Sequence, residues 1–157
     1  MDKQQIAEKL KEIKIFEGMT DQDFLDLAEG FVVNRYDEGQ KIITEGDTLN
    51  KDLYILISGL ACTELKTEGA VDKAKINVIK PGQFFGEVAL ILDIPRSASV
   101  VATQPSEVLA LSNQKFREII KRNNHCGMEV FEAISILLAE RICHTNDMLK
   151  HTILWGW

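Results

Sequence analysis

The sequence predicts an α+β protein in which helices flank a central series of short strands. Apolar residues in positions 1–29, and again after position 112, recur at the spacing of amphipathic helices. Between these regions, short runs rich in β-branched and aromatic residues alternate with turn signals. Many short strands at such spacing favour a sandwich or a roll.

The first segment predicts two helices that pack on the domain. Apolar residues recur at near-helical spacing in the first of them: Ile6, Leu10, Ile13 and Ile15. Residues 16–18 then read as a turn. Thr20 followed by Asp23 resembles a capping box, so a second short helix is expected to begin there.

The central segment predicts a series of strands separated by glycine-containing turns. The expected strands are 31–36, 41–44, 53–59, 61–66, 75–79, 99–102 and 107–112. Turn signals such as Asp37-Glu38-Gly39 and Pro81-Gly82 separate them. The polar stretch from Thr67 to Lys73 is expected to be an exposed loop that joins two strands as a hairpin.

Helical composition returns after Ser112, which is a suitable N-cap residue. We expect one helix over 115–122, an interruption around Asn123-Asn124, and a long helix over 128–150. The long helix carries an apolar stripe made of Val130, Ile134, Leu137, Leu138, Ile142 and Leu149. Most of this stripe is expected to cover the β core.

Residues 84–100, called the cassette segment below, combine glycine, a carboxylate and an arginine within a few positions. Gly82 and Gly86 can adopt positive φ and let the backbone approach a ligand. A short helix is expected to start after Gly86 and to end before Pro95, with Arg96 following it. Backbone N–H groups and a guanidinium could then bind one anion together.

Glu87 makes the expected site more than an anion site. A carboxylate beside a phosphate repels it unless the carboxylate accepts a hydrogen bond from a hydroxyl, so a ligand with both groups is indicated. Nucleotides meet that requirement. The alternative is that Glu87 and Arg96 form an ordinary salt bridge while the glycines only turn the chain.

The cassette segment closely resembles the phosphate-binding cassette of cyclic nucleotide-binding domains. The resemblance rests on Phe85-Gly86-Glu87-Val88-Ala89-Leu90 and, four residues later, Pro95-Arg96-Ser97-Ala98-Ser99-Val100. It extends upstream to Gly39, Ile42, Glu45-Gly46-Asp47, Tyr54-Ile55 and Gly59, and covers roughly residues 10 to 145. It implies an antiparallel, jelly-roll-like β-roll of about eight strands with N-terminal helices, a short cassette helix and two C-terminal helices.

The resemblance also implies roles for individual residues. Glu87 would accept a hydrogen bond from the ribose 2′-OH, and Arg96 would pair with the cyclic phosphate. The ligand-binding set is Phe85, Gly86, Glu87, Val88, Ala89, Arg96, Ser97 and Ala98. The long C-terminal helix would cover the base, with a lid made of Leu138, Arg141, Ile142 and Trp155. Arg141 could equally be a solvated helix residue. For Trp155 and Trp157 the alternatives are that they cap the purine, pack on a partner or on the domain, or are disordered.

The expected function is that of a regulatory sensor that binds a cyclic nucleotide and relays binding through its C-terminal helices. Ser97 bears on the choice of ligand, because the family often has Ala there in cAMP-selective kinase sites and Thr where cGMP is preferred or tolerated. Bacterial catabolite-activator-type domains that use cAMP have Ser, so cAMP is favoured over cGMP. The alternative is an interaction scaffold that keeps the fold and signals without nucleotide. An enzyme is not expected, since no paired nucleophile, metal cluster or second acid accompanies Glu87.

Composition constrains location and partners. The 157 residues, 45% hydrophobic and 27% charged, fit one globular domain over 1–157, divided into 1–29, 30–111 and 112–157. We expect a cytoplasmic location with no membrane span and no signal peptide. A net charge of −6 without a basic block argues against DNA binding. An effector protein, or a second copy through the C-terminal helix, remains an open partner.

Cysteine usage fits a reducing compartment. The three cysteines, Cys62, Cys126 and Cys143, are widely spaced and are expected to be free thiols. A zinc site with His125 or His144 lacks paired ligand spacing, so no metal is expected. Because no helix-turn-helix, tandem site or membrane helix accompanies the expected domain, we expect a stand-alone sensor or a fragment of a longer protein.

Overall fold

Two four-stranded antiparallel sheets lie at the centre of the fold. The computed structural model describes residues 1–65 and 74–155, with 74–76 and 152–155 described by backbone alone. Within these residues the strands are β1 (Phe31–Tyr36), β2 (Lys41–Ile43), β3 (Leu53–Ser58), β4 (Ala61–Leu65), β5 (Ala74–Ile79), β6 (Phe84–Phe85), β7 (Ser99–Ala102) and β8 (Ser106–Leu111). Their orders are β1-β8-β3-β6 and β2-β7-β4-β5. The predicted α+β roll of about eight strands is confirmed.

One strand, β6, was missing from the sequence prediction. Its two residues are too few to show the alternation that marks a strand. It pairs with β3, with Phe85 opposite Tyr54 and Phe84 opposite Ile55, which attaches the start of the cassette segment to the sheet edge. Strands β4 and β5 pair antiparallel, as the predicted hairpin requires, while the loop from Thr67 to Lys73 lies outside the described residues.

The N-terminal helices are present, although the first is shorter than its apolar spacing predicts. The helices are α1 (Lys3–Lys11), α2 (Asp21–Ala28), α3 (Glu87–Leu92), α4 (Asn113–Arg122) and α5 (Asn124–Trp155). Ile13 has an extended backbone (φ −90°, ψ 107°) before a 3₁₀ turn at Lys14–Phe16. Extension of the first helix to Ile13 and Ile15 was therefore wrong, because Ile13 continues the buried face without continuing the helix. The Thr20–Asp23 capping box at the start of α2 is confirmed.

The C-terminal helices are longer than predicted. Ser112 caps α4 through the Lys115 N–H, and α4 begins at Asn113 instead of position 115. The interruption is confined to Asn123 (φ −130°, ψ 92°), since Asn124 already belongs to α5. Asn123 Oδ1 accepts the Cys126 N–H at 3.1 Å and so satisfies an N-terminal donor of α5. This cap helps to offset the poor helix propensity of residues 124–127.

The buried apolar residues form two clusters. The larger one joins the helices to the β1-β8-β3-β6 sheet and includes Leu10, Leu27, Phe84, Leu109 and Ile134. The smaller one lies between the sheets and includes Ile43, Tyr54, Leu56, Phe85 and Val108. Phe84 and Phe85 thus fix the start of the cassette segment in both clusters. Over residues 1–65 and 74–155, no helix combines the length and apolar character needed to cross a membrane.

Candidate functional site

Gly86 sets the geometry of the cassette segment. Its φ of +84° is left-handed, and it is the N-cap of α3. A Cβ at this position would lie 2.8 Å from Arg96 Nη1 and 2.9 Å from the Asp52 carbonyl oxygen. The absence of a side chain therefore permits both the turn and the close approach of Arg96. The predicted helix after Gly86 is α3, and it ends at Leu92, followed by the C-cap Asp93, which is also left-handed (φ 55°).

Arg96 is buried with only 4% of its surface exposed, and neutral oxygens hold it. Nη1 donates to the Gly86 carbonyl at 2.7 Å, and Nη2 donates to Asn50 Oδ1 at 2.6 Å and to the Asp52 carbonyl at 2.7 Å. Within the described residues its Nε has no hydrogen-bond partner, and no carboxylate forms an ion pair with it. In the described part of the chain, three neutral oxygens thus contact its charge and no carboxylate does.

Tyr54 and burial complete the surroundings of Arg96. The Arg96 Cζ lies 5.6 Å from the centroid of the Tyr54 ring, within the range of a cation–π interaction. That ring stacks on Phe85, with centroids 5.2 Å apart. Burial lowers the pKa of Arg96 and raises the pKa of Tyr54, because both charged forms lose solvation. Arginine remains protonated despite such a shift, so the site carries a buried positive charge.

Glu87 is the second buried charged group of the cassette segment, with 1% of its surface exposed. Its Oε1 accepts a hydrogen bond from Arg141 Nη1 of α5, and Arg141 Nη2 donates to the Phe84 carbonyl at 2.7 Å. Oε2 has no hydrogen-bond partner among the described residues. Glu87 therefore pairs with Arg141 instead of Arg96, which contradicts the alternative of an ordinary Glu87–Arg96 salt bridge.

All residues that the resemblance assigns to ligand binding line one cavity. The cavity has a volume of about 90 Å³ and is lined by Ile43, Thr63, Phe85, Gly86, Glu87, Val88, Ala89, Arg96, Ser97, Ala98, Val100 and Arg141. This is smaller than the roughly 300–1,000 Å³ typical of small-molecule sites. A second cavity of about 530 Å³ lies between the β5 region and α5, and Arg141 lines it as well. Arg141 therefore forms part of the wall of both cavities.

The proposed lid residues occupy different environments. Arg141 reaches the cassette segment, as described above. Leu138 is half-buried and packs against the larger core cluster, while Ile142 is 61% exposed and does not line the cavity. The backbone of Trp155 ends α5, and its side chain and Trp157 lie outside the described residues.

Sequence reasoning missed several residues of this site. Asn50 and the Asp52 carbonyl bind Arg96, Tyr54 lies against it, and Thr63 and Ile43 line the opposite wall. The only sequence signal for Asn50 is its position just after the turn residues 45–47. Over residues 1–65 and 74–155, no group of histidine, cysteine and acidic residues is arranged to hold a metal ion.

A β-roll in which a buried arginine and a buried carboxylate line one cavity combines groups that can bind an anion and a hydroxyl. Comparison with known proteins gives the family. Residues 33–123 match the family model described as a cyclic nucleotide-binding domain. The chain belongs to the cyclic nucleotide-binding domain family, which is a family of non-catalytic regulatory modules.

Individual relatives agree with this assignment. The chain is 32% identical to a cAMP-dependent protein kinase regulatory subunit of Eremothecium gossypii over 71% of this chain and 23% of the relative. It is 30% identical to a cGMP-dependent protein kinase of Eimeria tenella over 74% of this chain and 11% of the relative. The chain thus spans less than a quarter of either relative. A cyclic nucleotide-binding domain structure from Methylobacillus flagellatus KT has a TM-score of 0.83 and 22% identity, covering 96% of this chain and 83% of that one.

Proposed function

We propose that this chain is a sensor module that binds a cyclic nucleotide, with cAMP preferred over cGMP, and relays binding through α4 and α5. The observation that carries the proposal is the pair of unsatisfied polar atoms at one cavity. Among the described residues, Arg96 Nε has no acceptor and Glu87 Oε2 has no donor, and both residues line the cavity. A ligand with an anionic group and a neighbouring hydroxyl satisfies both atoms.

Arg96 is the proposed phosphate ligand. Its guanidinium is held by neutral acceptors, so the positive charge is available to a singly charged cyclic phosphate without a metal ion. Val88, Ala89 and Ala98 line the same cavity, and their backbone N–H groups could complete the phosphate site. Burial strengthens the attraction, because a charge pair in a low-dielectric site is screened less than one in water.

Glu87 is proposed to bind the ribose, and Arg141 competes with the ribose for the Glu87 carboxylate. The hydrogen bond from Arg141 to Oε1 leaves Oε2 for the 2′-OH, and displacement of Arg141 would free both oxygens. Displacement would also enlarge the space beside α5, because Arg141 lines both cavities. The combined space could then accommodate a purine beside α5, with the lid residues Leu138, Arg141, Ile142 and Trp155 repositioned over it.

Relay through the C-terminal helices follows from this competition. A nucleotide that replaces the Arg141–Glu87 contact changes the anchoring of α5 to the cassette segment, and a population shift results if it binds one arrangement better than the other. The output partner would be an effector protein or a second copy of the chain that contacts α5. A cytoplasmic location fits a cyclic nucleotide as ligand.

A second candidate function is a protein-interaction scaffold that needs no nucleotide. Two observations favour it: the cavity of about 90 Å³ is small, and Arg141 already occupies one oxygen of Glu87. In that case the Arg141–Glu87 contact would be a permanent link between α5 and the roll.

Calorimetric titration with cAMP and cGMP separates these functions. A sensor releases or absorbs heat with a saturable isotherm, and binds cAMP more tightly than cGMP. Adenosine, which lacks the phosphate, is the matched control and should bind much more weakly. Absence of both heat and a thermal shift at about 1 mM of either cyclic nucleotide, a concentration at which even a weak site binds, would leave the scaffold function.

Substitution at Ser97 tests the preference for cAMP. Ser97 lines the cavity next to Arg96 and is exposed, so its side chain can change without disturbing the core. We expect Ser97→Thr to improve cGMP binding relative to cAMP, and Ser97→Ala to leave the preference for cAMP intact. Equal ratios of the two affinities in all three proteins would show that selection occurs elsewhere in the cavity.

A further inference from the structure

Strand β1 lies at the edge of its sheet, and its outer side has no partner among the residues that the structure describes. The strand pairs with β8 over all six of its residues without a register shift. In an antiparallel ladder, alternate residues of an edge strand direct their N–H and C=O groups away from the neighbouring strand. Apart from the β8 ladder, the described part of the chain contains no backbone hydrogen bond of residues 31–36. β1 therefore presents a row of unpaired backbone groups.

An open groove runs along this edge. It has a volume of about 640 Å³ and is lined by Met1 and by the consecutive residues Val33, Asn34, Arg35 and Tyr36. Successive side chains of a strand point to opposite faces of the sheet, so four consecutive residues border one space only along the edge of the strand. The groove thus leaves room for another strand beside β1.

The other edge strands within the described residues are protected against strand addition, and β1 is not. β6 has only two residues, while β2 has three, begins with Lys41 and has a register shift. β5 carries Lys75, and its ladder with β4 has a register shift as well. Short length, lysine and irregular pairing are features by which natural sheets avoid unwanted pairing. β1 has six residues, a regular ladder and no lysine, proline or glycine.

The side chains of β1 also favour strand pairing. Val32 is apolar and β-branched, yet 61% of its surface is exposed. Arg35 is the charged residue of the strand, and Glu107 of β8 pairs with it at 3.1 Å. Because this ion pair offsets the charge of Arg35, no net charge at the edge opposes the approach of an identical strand.

An identical strand fits this edge in an antiparallel register. Residues whose backbone groups point outward must meet each other across a two-fold axis, so the numbers of paired residues must add to an even number. A register with Asn34 opposite its own copy meets this condition and uses residues 32–36 of both chains. Val32 then lies opposite the partner's Tyr36, which makes a favourable pair of a β-branched and an aromatic residue. The two copies of Arg35 do not lie opposite each other in this register.

We propose that two copies of this chain associate through β1, so that their β1-β8-β3-β6 sheets join into one eight-stranded sheet. The contact pairs the outer backbone groups of both strands and covers Val32. It lies outside the cassette segment and α5, so it differs from association through the C-terminal helix and does not rest on nucleotide binding. A five-residue ladder is a small interface, and the dimer is therefore weak, with a dissociation constant on the order of 0.1–1 mM.

Sedimentation equilibrium of wild type and two matched valine variants tests the surface. Val32 and Val78 are exposed to nearly the same extent, 61% and 60%, and Val78 lies on β5, another edge strand. We expect Val32→Lys to raise the dimer dissociation constant at least about tenfold, because lysine at a sheet edge opposes pairing. Val78→Lys should associate like wild type. A wild type that stays monomeric at about 1 mM overturns the proposal, and so does a dimer that Val32→Lys leaves unchanged.

Cysteine cross-linking tests the register independently. Asn34→Cys places cysteines on directly opposite residues, whose Cα atoms lie about 4.5–5.5 Å apart, within the range of a disulfide. Val32→Cys is the control, because the two copies of residue 32 lie four positions apart, roughly 14 Å along the strands. Both variants carry Cys143→Ser, since Cys143 is the exposed native cysteine. We expect an intermolecular disulfide in Asn34→Cys alone, and equal cross-linking in both variants, or in neither, overturns the proposed pairing.

Discussion

At Arg96, a buried positive charge is held by three neutral oxygens, with no carboxylate of the described residues in direct contact. We predict that Arg96→Leu weakens cAMP binding by roughly ten- to a hundredfold, because a hydrogen bond to a charged group contributes roughly 1.5–3 kcal/mol. Calorimetric titration measures the change. Arg35→Leu removes an exposed arginine that pairs with Glu107, and it should bind cAMP like wild type. Unchanged affinity in folded Arg96→Leu would show that the phosphate is bound elsewhere.

At Glu87, Oε2 has no hydrogen-bond partner in the described part of the chain, and this leads to a specific prediction about the sugar. Glu87→Gln should weaken cAMP more than 2′-deoxy-cAMP, because the deoxy ligand has no hydroxyl to lose. Titration of both ligands into wild type and variant gives the comparison. Glu118→Gln, at an exposed position of α4, controls for the change of charge. Equal losses for both ligands would remove the ribose role of Glu87.

Individual residues of the site differ in whether the sequence alone predicts them. Gly86, Glu87 and Arg96 are predicted as site residues from the cassette segment alone, because a glycine turn, a short helix and the following strand fix their relative positions locally. Asn50 was not identified, since its role depends on a loop that meets Arg96 only in the folded chain.

At the scale of elements, the Arg141–Glu87 contact links α5 to α3. We predict that Arg141→Met lowers the free energy of unfolding by about 1–3 kcal/mol, because it leaves the buried Glu87 carboxylate without this partner. Denaturant unfolding of the single variants Arg141→Met and Glu87→Gln, and of the double variant, measures the coupling. The double variant should lose less than the sum of the single losses. Additive losses would mean that the contact contributes nothing to the anchoring of α5.

A second link between elements depends on pH. Asp23 of α2 is buried and accepts hydrogen bonds from Thr20 and Asn123 (2.8 Å each), and it contacts His125 Nδ1 at 2.7 Å. Burial by itself raises the pKa of Asp23, but the hydrogen bonds outweigh it and hold the pKa below its ordinary value. The ionised carboxylate thus stabilises the corner where α4 meets α5.

The contribution of Asp23 ionisation to stability can be measured as a function of pH. A lowered pKa gives stability that is fully present above the ordinary carboxyl range and is lost as pH falls through the folded-state pKa, below about 4. Asp23→Asn should therefore be less stable than wild type at pH 7, with the difference shrinking in acid. Urea unfolding at a series of pH values measures this, with the exposed Asp147→Asn as control. A difference independent of pH would exclude ionisation of Asp23 as its cause.

At the scale of the whole molecule, nucleotide binding should appear as stabilisation. A ligand present at a hundred times its Kd adds about 2.7 kcal/mol to the free energy of unfolding. For a chain of this size that corresponds to a rise in Tm of roughly 5–10 °C. Thermal unfolding with and without cAMP tests this, and Arg96→Leu under the same conditions should show little rise. A wild-type Tm that cAMP does not change would contradict the sensor function.

The sequence by itself determined the class of fold and the residues of the cassette segment. These features are predictable because steric and hydrogen-bonding rules act over a few neighbouring residues. They include the strand patterns, the capping residues and the spacing from Gly86 to Arg96. Helix ends were less well determined, since Ile13 continued an apolar spacing outside the helix and Asn124 lay within one.

Only the tertiary structure decided which distant groups meet at the site. Arg141 reaches Glu87 across 54 positions, and Asn50 reaches Arg96 across 46. Such contacts depend on how α5 and the β2–β3 loop pack against the roll, and their hydrophobic packing constrains position without leaving a sequence motif. The sequence thus determined the residues of the cassette segment, and the packing determined that Arg141 of α5 contacts its carboxylate and that the Asn50 amide accepts a hydrogen bond from its arginine.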